Sequence, residues 1–217
     1  MATPTEEFAG RPRRAIARSA AALAAIGAVL SLAAVVLAQV TRDRVARNER
    51  SWIKQPLYAL LDPASYDNDP LADRIVIQSR DLLGVSIPAT VYRARRRGAP
   101  VAAVIQSVAP EGYRGPIELL VAVRWDGALL GVQVLRHNET PGLGDAFETR
   151  EAGWLQAFRG LSLSNPPQNR WTVRKEGGDF DAFTGATVTP RAIVKGVRRA
   201  LEFYRADRDR LFAADAQ

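Results

Sequence analysis

The chain has 217 residues, enough for one domain of ordinary size with additional segments. It contains no cysteine, which excludes disulfides, iron–sulfur clusters and thiol catalysis, and its single histidine, His137, argues against a zinc site. Most of the +7 net charge comes from eight arginines in residues 11–50, opposed there by two acidic residues. Because the charge is confined to this segment, it gives no support for nucleic-acid binding.

The basic segment flanks an uncharged stretch of 22 residues, 19–40. A helix of that length spans roughly 33 Å, enough to cross a bilayer. A cleaved signal peptide has a shorter apolar core, and a buried soluble helix is not apolar around its whole circumference. We therefore predict one retained transmembrane helix at 19–40, preceded by a basic cytoplasmic tail at 1–18. The flanking arginines are nearly balanced, and the simplest topology places the large domain outside.

A stalk and linker are predicted for residues 41–70. The membrane helix would continue as a polar stalk over 41–56 and end before Pro56, because proline breaks helix interiors. Residues 57–73 contain Asp-Pro pairs and are typical of a loop with turns.

A domain is predicted for residues 71–206, followed by a C-terminal tail at 207–217. Asp126-Gly127 is a strong hairpin signal between two apolar segments. The pattern indicates an α+β domain with a mostly antiparallel sheet. Strands are predicted at 74–78, 90–94, 100–108, 117–125, 128–136 and near 171–174, and helices at 151–159 and 190–206.

The segment Asp181-Ala-Phe-Thr-Gly-Ala-Thr-Val-Thr-Pro190 leads into the last predicted helix. We predict Thr189 as its N-cap and Pro190 as its first residue. A helix N-terminus favours a phosphate, and the small residues Gly185 and Ala186 let the backbone approach such a ligand. An ordinary capped helix with a glycine-containing lead-in explains the same residues.

A second segment, His-Asn-Glu-Thr-Pro-Gly-Leu-Gly-Asp, follows the hairpin at residues 137–145. Its glycines permit positive φ, so the loop could place its backbone against a planar ring with Leu143 as an apolar contact. Glu139 and Thr140 would supply polar contacts. A tight surface turn is the alternative.

The first segment matches Asp-x-x-Ser/Thr-Gly-Ala-Thr, the signature of domains that carry FMN on a threonine through a phosphoester bond. Together with ETPGLG, EAGWLQAF and KEGGDFDAFTGATVTPRAIVKGV, it resembles the G subunit of Rnf electron-transport complexes. The related C subunit of the sodium-translocating NADH:quinone oxidoreductase shares both motifs but is usually longer. The chain departs from the usual pattern at Thr184, where serine is commoner, and at Pro190, where a small residue is usual.

The resemblance implies that Thr187 carries the FMN phosphate. Thr184, Gly185 and Ala186 would then shape the phosphate turn. Asp181 would belong to the motif that a separate flavin transferase recognises. This transferase uses FAD and a divalent metal to form the bond.

The resemblance also implies which residues contact the isoalloxazine ring. Lys175 and Gly177 are weaker candidates: a lysine near the ring would stabilise a reduced, anionic flavin, but a solvated surface lysine fits the sequence equally well. His137 is interpreted as a loop-edge residue, and no catalytic or metal-binding residue is predicted. The implied ring contacts are Glu139, Thr140, Gly142, Leu143 and Gly144.

The function implied is that of an electron carrier anchored in the bacterial inner membrane, its domain on the periplasmic side, without independent turnover. In that family electrons move between reduced ferredoxin and NAD, coupled to ion transport. The expected partners are the other membrane and redox subunits of an Rnf-type complex and the flavin transferase, with no nucleic acid. The alternatives are the C subunit of the quinone reductase, or a non-redox flavin-binding sensor or assembly protein.

Overall fold

A computed structural model describes residues 11–77, 89–148 and 153–213. In the first helix, the side chains are described for residues 16–39 and from residue 52 onward. The chain divides into two compact units, Met1–Ser51 and Trp52–Gln217. Helix α1 runs over Arg11–Leu60. Within it, Ile16–Gln39 is long and apolar enough to cross a membrane, and its side chains are exposed. The predicted span, 19–40, nearly coincides with it.

Five strands form one antiparallel sheet in which neighbours in sequence are neighbours in space. Strands are present at five of the six predicted positions, and the α+β class is confirmed. The hairpin between the last two strands turns at Asp126-Gly127, where Gly127 has φ 92° and its N–H donates to the Arg124 carbonyl. Gln78, the end of the first predicted strand, lies outside the described residues. The strands are β1 Arg74–Ile77, β2 Ala89–Arg96, β3 Ala99–Ala109, β4 Ile117–Arg124 and β5 Leu129–Arg136.

Helix α2, Val188–Ala213, covers one face of this sheet. An apolar stripe of this helix, which includes Ile193 and Val197, is buried against β3 and β4. Gly196 allows a close approach, because a Cβ there would lie 3.0 Å from the Ala109 Cβ and 3.0 Å from the Leu119 Cδ1.

The opposite face of the sheet is covered by the last two turns of α1. Leu57 and Leu60 are buried there with Leu120 of β4, in one apolar cluster. The predicted end of the stalk before Pro56 is therefore wrong: the helix continues through Pro56 to Leu60. Packing of these leucines against the sheet offsets the backbone hydrogen bond that proline removes.

The stretch between β5 and α2 is irregular. The predicted helix at 151–159 is a short 3-10 helix, Trp154–Phe158, and residues 151–152 lie outside the described ranges. The predicted strand near 171–174 is absent from the described residues; a single bridge joins Val173 to Phe180. Buried Trp171, whose indole N–H donates to the Pro166 carbonyl over 3.0 Å, holds this stretch by aromatic packing instead of a strand ladder.

Helix α2 begins two residues before its predicted start and ends seven residues after its predicted end. The tail predicted from residue 207 is thus largely helix, with Leu211 and Phe212 buried. Arg93 donates to the Leu211 carbonyl over 3.0 Å and Arg95 to the Phe212 carbonyl over 2.8 Å. These bonds satisfy carbonyls that a helix C-terminus leaves free.

Candidate functional site

The turn before α2 brings Thr187 to the helix N-terminus. The Ala186 N–H donates to the Phe183 carbonyl over 3.1 Å, and Gly185 has φ 78°, which a glycine adopts without strain. The Thr187 carbonyl accepts the Arg191 N–H over 3.3 Å, so Thr187 occupies the cap position. The prediction of Thr189 as N-cap is wrong, because Thr189 lies inside the first turn and is fully buried.

The Thr187 side chain is half-buried, and its hydroxyl forms no hydrogen bond with any residue of the described ranges. The first N–H groups of a helix have no partner within the helix. Val188 is exposed and therefore presents its N–H at this end, whereas Thr189 is fully buried and Pro190 has no N–H. The arrangement places a free hydroxyl beside a backbone donor that favours an anion.

Arg191 lies one helical turn after Thr187, a position that the sequence analysis did not assign to the site. Its terminal guanidinium nitrogen pairs with Glu176. Its Nε is buried and has no hydrogen-bond partner among the described residues. The sequence does contain a signal for this residue: Arg191 is basic and lies four positions after Thr187, and helical residues at that spacing share a face.

The loop at 139–144 is a tight turn next to the motif segment. The Leu143 and Gly144 N–H groups both donate to the Thr140 carbonyl, over 3.1 and 3.0 Å. Leu143 is 47% exposed, and a Cβ on Gly185 would lie 3.2 Å from its Cδ2. The structure thus brings together two motifs about 40 residues apart in sequence. At Gly142, φ is 77°, and its N–H donates to an Asp145 oxygen over 2.7 Å.

Glu139 joins three segments of the chain. It is only 4% exposed; its Oε1 accepts the Arg114 N–H over 3.1 Å, and its Oε2 accepts the Thr189 hydroxyl. Position 144 has no room for a side chain, since a Cβ there would lie 2.9 Å from the Glu139 Oε2. The carboxylate expected to line a flavin ring is therefore engaged by protein donors, and it fastens the loop to the start of α2.

His137 holds the beginning of the same loop. Its Nε2 lies 2.7 Å from a Glu148 oxygen, its Nδ1 accepts the Glu139 N–H over 3.2 Å, and its ring packs edge-on against Phe147. These contacts fit the interpretation of His137 as a loop-edge residue.

Asp181 and Thr184 are exposed. The Asp181 carboxylate lies 2.7 Å from the Arg174 Nε, and its carbonyl accepts the Trp154 indole N–H over 2.9 Å. Its carboxylate points to the surface, where another protein can reach it.

The two weaker candidates lie in a turn beside the motif. Lys175 is exposed in the 3-10 helix Arg174–Glu176, which Gly177 closes with φ 85°. Both flanking residues form ion pairs, with Asp181 and Arg191, whereas Lys175 forms none within the part of the chain that the structure describes. No group of acidic and histidine side chains in that part could hold a metal ion.

A cleft of about 320 Å³ lies at the other end of α2, lined by residues that include Tyr204, Arg208 and Asp126. None of the predicted site residues lines it. The candidate site is instead an open surface formed by the two loops and the start of the helix.

Residues 112–202 match the FMN-binding domain family, and this range contains both loops and Thr187. The chain is 43% identical to the G subunit of the ion-translocating oxidoreductase complex of Pseudomonas aeruginosa over 203 residues, 94% of this chain and 95% of that protein. It is 38% identical over 199 residues to the Shewanella loihica protein of the same name, 92% and 94% of the two chains. The Stutzerimonas stutzeri protein of that name is 44% identical over 191 residues, 88% of this chain and 82% of that one.

Proposed function

Because this chain belongs to the family of G subunits of ion-translocating oxidoreductase complexes, we propose that it is a membrane-anchored flavoprotein that relays electrons through FMN within an Rnf-type complex. Family membership supports Rnf over the homologous quinone-reductase protein, since the relatives named as G subunits match it over nearly their whole length. The proposed partners are the other membrane and redox subunits of that complex.

One observation carries the proposed cofactor site: a half-buried Thr187 hydroxyl without a hydrogen bond among the described residues, at a helix N-terminus that contacts the second motif. We propose that Thr187 carries FMN through a phosphoester. The Val188 N–H would face the phosphate, and the unpartnered Nε of Arg191 would add a charged donor. The flexible Gly185 turn permits this close approach.

The linkage requires a transferase, as the resemblance implies. In that reaction the Thr187 oxygen bonds to the FMN phosphorus of FAD, the phosphorus–oxygen bond to AMP breaks, and the hydroxyl proton leaves to a base. The exposed carboxylate of Asp181, held by Arg174, is proposed as part of the surface that the transferase reads. Thr187 is therefore a tether for the cofactor and takes no part in electron transfer.

The bound flavin supplies the capacity to accept and donate electrons, and the chain's residues hold and orient it. Leu143 would contact the ring through its exposed side chain, while Glu139 keeps the loop in place through Thr189. Lys175 would stabilise negative charge on the reduced ring. Covalent attachment suits an open site, because the flavin cannot dissociate even where the ring remains exposed.

The proposed location follows from the apolar part of α1. We propose that Ile16–Gln39 anchors the chain in the bacterial inner membrane, with residues 1–15 in the cytoplasm and the domain on the periplasmic side. The arginines on the two sides of the membrane segment are nearly equal in number, so this orientation calls for a direct test. Cysteine labelling is suitable because the chain contains no cysteine that would first have to be replaced.

Attachment can be tested by flavin fluorescence of the denatured protein in a gel, after expression with the transferase. The wild type should fluoresce, Thr187→Ala should not, and Ser162→Ala, far from the motif in sequence, should fluoresce like the wild type. A dark wild-type band, or equal bands from wild type and Thr187→Ala, would overturn the proposed site. Flavin that is attached but stays oxidised in the assembled, substrate-supplied complex would favour a non-redox module.

A further inference from the structure

We propose that Tyr113 is an aromatic contact of the flavin ring, presented by a third loop, residues 110–116, between β3 and β4. This inference rests on the proposed function. Neither motif includes the loop, which lies between the strands predicted at 100–108 and 117–125. Three features of the structure support the role: two anchors on either side of Tyr113, its exposure, and the exposed apolar residues on the two other segments that share the second anchor.

The first anchor precedes Tyr113. Glu111 accepts hydrogen bonds from Lys195 Nζ and from a terminal nitrogen of Arg199, each over 2.8 Å. Both donors lie on α2, one turn apart. The loop is therefore tied to the helix whose N-terminus carries Thr187.

The second anchor is the buried carboxylate of Glu139. The Arg114 N–H donates to its Oε1 over 3.1 Å, and a Cβ on Gly112 would lie 3.0 Å from the same oxygen. The other oxygen, Oε2, accepts the Thr189 hydroxyl. The residues on both sides of Tyr113 thus approach a carboxylate that also holds the start of α2, two residues from Thr187.

Tyr113 itself is 70% exposed between these anchors. Outside α1, the described residues include only four exposed large apolar side chains: Val76, Tyr113, Leu143 and Val188. The last three lie on the three segments that Glu139 joins. Apolar side chains that are exposed together on a soluble surface usually mark a binding site, and the Glu139 carboxylate joins the segments that carry these three.

The occupant that these residues fit is a flat, largely apolar ring tethered beside Val188. Aromatic rings attract one another in offset-stacked or edge-to-face arrangements, and a tyrosine provides such a surface with few rotatable bonds. A loop fixed at Glu111 and at Arg114 presents that surface with little further ordering. Tyr113 would therefore be a positioning residue that, together with Leu143, limits the movement of a ring tethered through its ribityl chain.

The test is the fluorescence of the attached flavin in the native, detergent-solubilised chain. Tyr113→Leu keeps an apolar side chain but removes the ring, and Tyr113→Phe keeps the ring. We expect roughly a two- to tenfold larger unstacked, fluorescent population in Tyr113→Leu, and a change much smaller than this in Tyr113→Phe. Trp52→Leu, which removes an exposed aromatic residue of α1, is the matched control and should leave the fluorescence unchanged.

Two readouts separate the possible failures. Denatured-gel fluorescence shows whether flavin is attached; its absence from the wild type would refute the proposed function, not the role of Tyr113 in particular. If flavin is attached equally in all variants and the native fluorescence and lifetime of Tyr113→Leu equal those of the wild type, the inference is overturned. The inference would also be overturned if the Tyr113→Leu variant kept wild-type fluorescence but no longer copurified with the other subunits. That result would assign Tyr113 to a contact with another protein.

Discussion

The two ends of α2 are built in opposite ways. At the N-terminal end, Thr187 is half-buried, its hydroxyl has no partner in the described residues, and the preceding turn contains small residues. At the C-terminal end, Leu211 and Phe212 are buried, and two arginines of β2 bond to their carbonyls. Asp73 pairs with both arginines, over 2.5 and 2.8 Å.

The difference indicates how one helix serves stability and binding separately. A helix end with satisfied backbone groups and buried side chains contributes to the folding free energy but offers nothing to a ligand. An end with free N–H groups can hold an anion. Changes at the C-terminal end should therefore affect stability whether or not flavin is attached, whereas changes at the N-terminal end should affect flavin attachment with smaller losses of stability.

The largest effect is expected from a chain that stops after Ala206. This truncation removes buried Leu211 and Phe212, and each such side chain contributes about 2–5 kcal/mol. Since the whole domain is stable by about 5–15 kcal/mol, most of this variant should be unfolded at 37 °C. Thermal unfolding followed by tryptophan fluorescence measures this. A chain that stops after Ala213 is the control; equal midpoints for the two truncations would contradict the role given to this end.

A smaller but still large effect is expected from Arg93→Ala. Arg93 is 1% exposed, and its loss leaves Asp73 with one partner and the Leu211 carbonyl without this donor. Breaking a buried ion pair on one side costs about 3–5 kcal/mol. Urea unfolding should show this decrease in the free energy of unfolding, while the folded fraction still attaches flavin. Loss of attachment in the folded fraction would show that the two ends are not separable.

At the N-terminal end, Gly185→Ala and Gly160→Ala form a matched pair. Both glycines have φ near 80°, so either alanine should cost about 1–2 kcal/mol in backbone strain. A Cβ at position 185 meets the second motif, 3.2 Å from Leu143. Within the described ranges, a Cβ at position 160 has no heavy atom within 4 Å apart from its neighbours in sequence. Flavin incorporation per folded molecule should fall severalfold in Gly185→Ala alone. Equal incorporation in the two variants would argue against a phosphate turn at Gly185.

The smallest effect concerns the anchor at Glu111. Its hydrogen bonds with Lys195 and Arg199 lower its pKa below the ordinary value of 4.5. A carboxyl whose pKa is lowered by folding stabilises the protein above its unfolded pKa, and this contribution is lost as the pH falls through the folded pKa. These ion pairs are partly exposed, so Glu111→Gln should cost less than about 1 kcal/mol at pH 7. Urea unfolding at pH 7 and at pH 3 should show the difference between wild type and variant shrinking at the lower pH; a difference that grows would contradict the ion pair.

Local signals in the sequence predicted much of the fold. Alternating apolar residues and Asp126-Gly127 predicted the strands and the hairpin, because both depend on neighbours in sequence. The longer α2 was missed because charged residues over 205–210 interrupt its stripe before Leu211 and Phe212 return to the core. The end of α1 was missed because Pro56 suggested a break, and only packing on the sheet explains the helix there.

The candidate site was predicted in its two motifs but not in what joins them. Glu139 and Thr189 are 50 residues apart, and their contact depends on tertiary packing that no local pattern records. The same holds for Arg114, whose N–H reaches Glu139 from a loop with no motif of its own. The irregular stretch around Trp171 was predicted as a strand, whereas aromatic contacts that no local pattern records determine its conformation.

The most direct measurement is the intact mass of the purified protein, with peptide mapping, after expression with and without the transferase. With the transferase, the mass should increase by one FMN less one water, and the added mass should map to the peptide that contains Thr187. Without it, and in Thr187→Ala, the mass should be that of the unmodified chain. An unmodified chain in the presence of the transferase, or FMN mapped to Thr184 or Thr189, would contradict the assignment of Thr187 as the flavin tether.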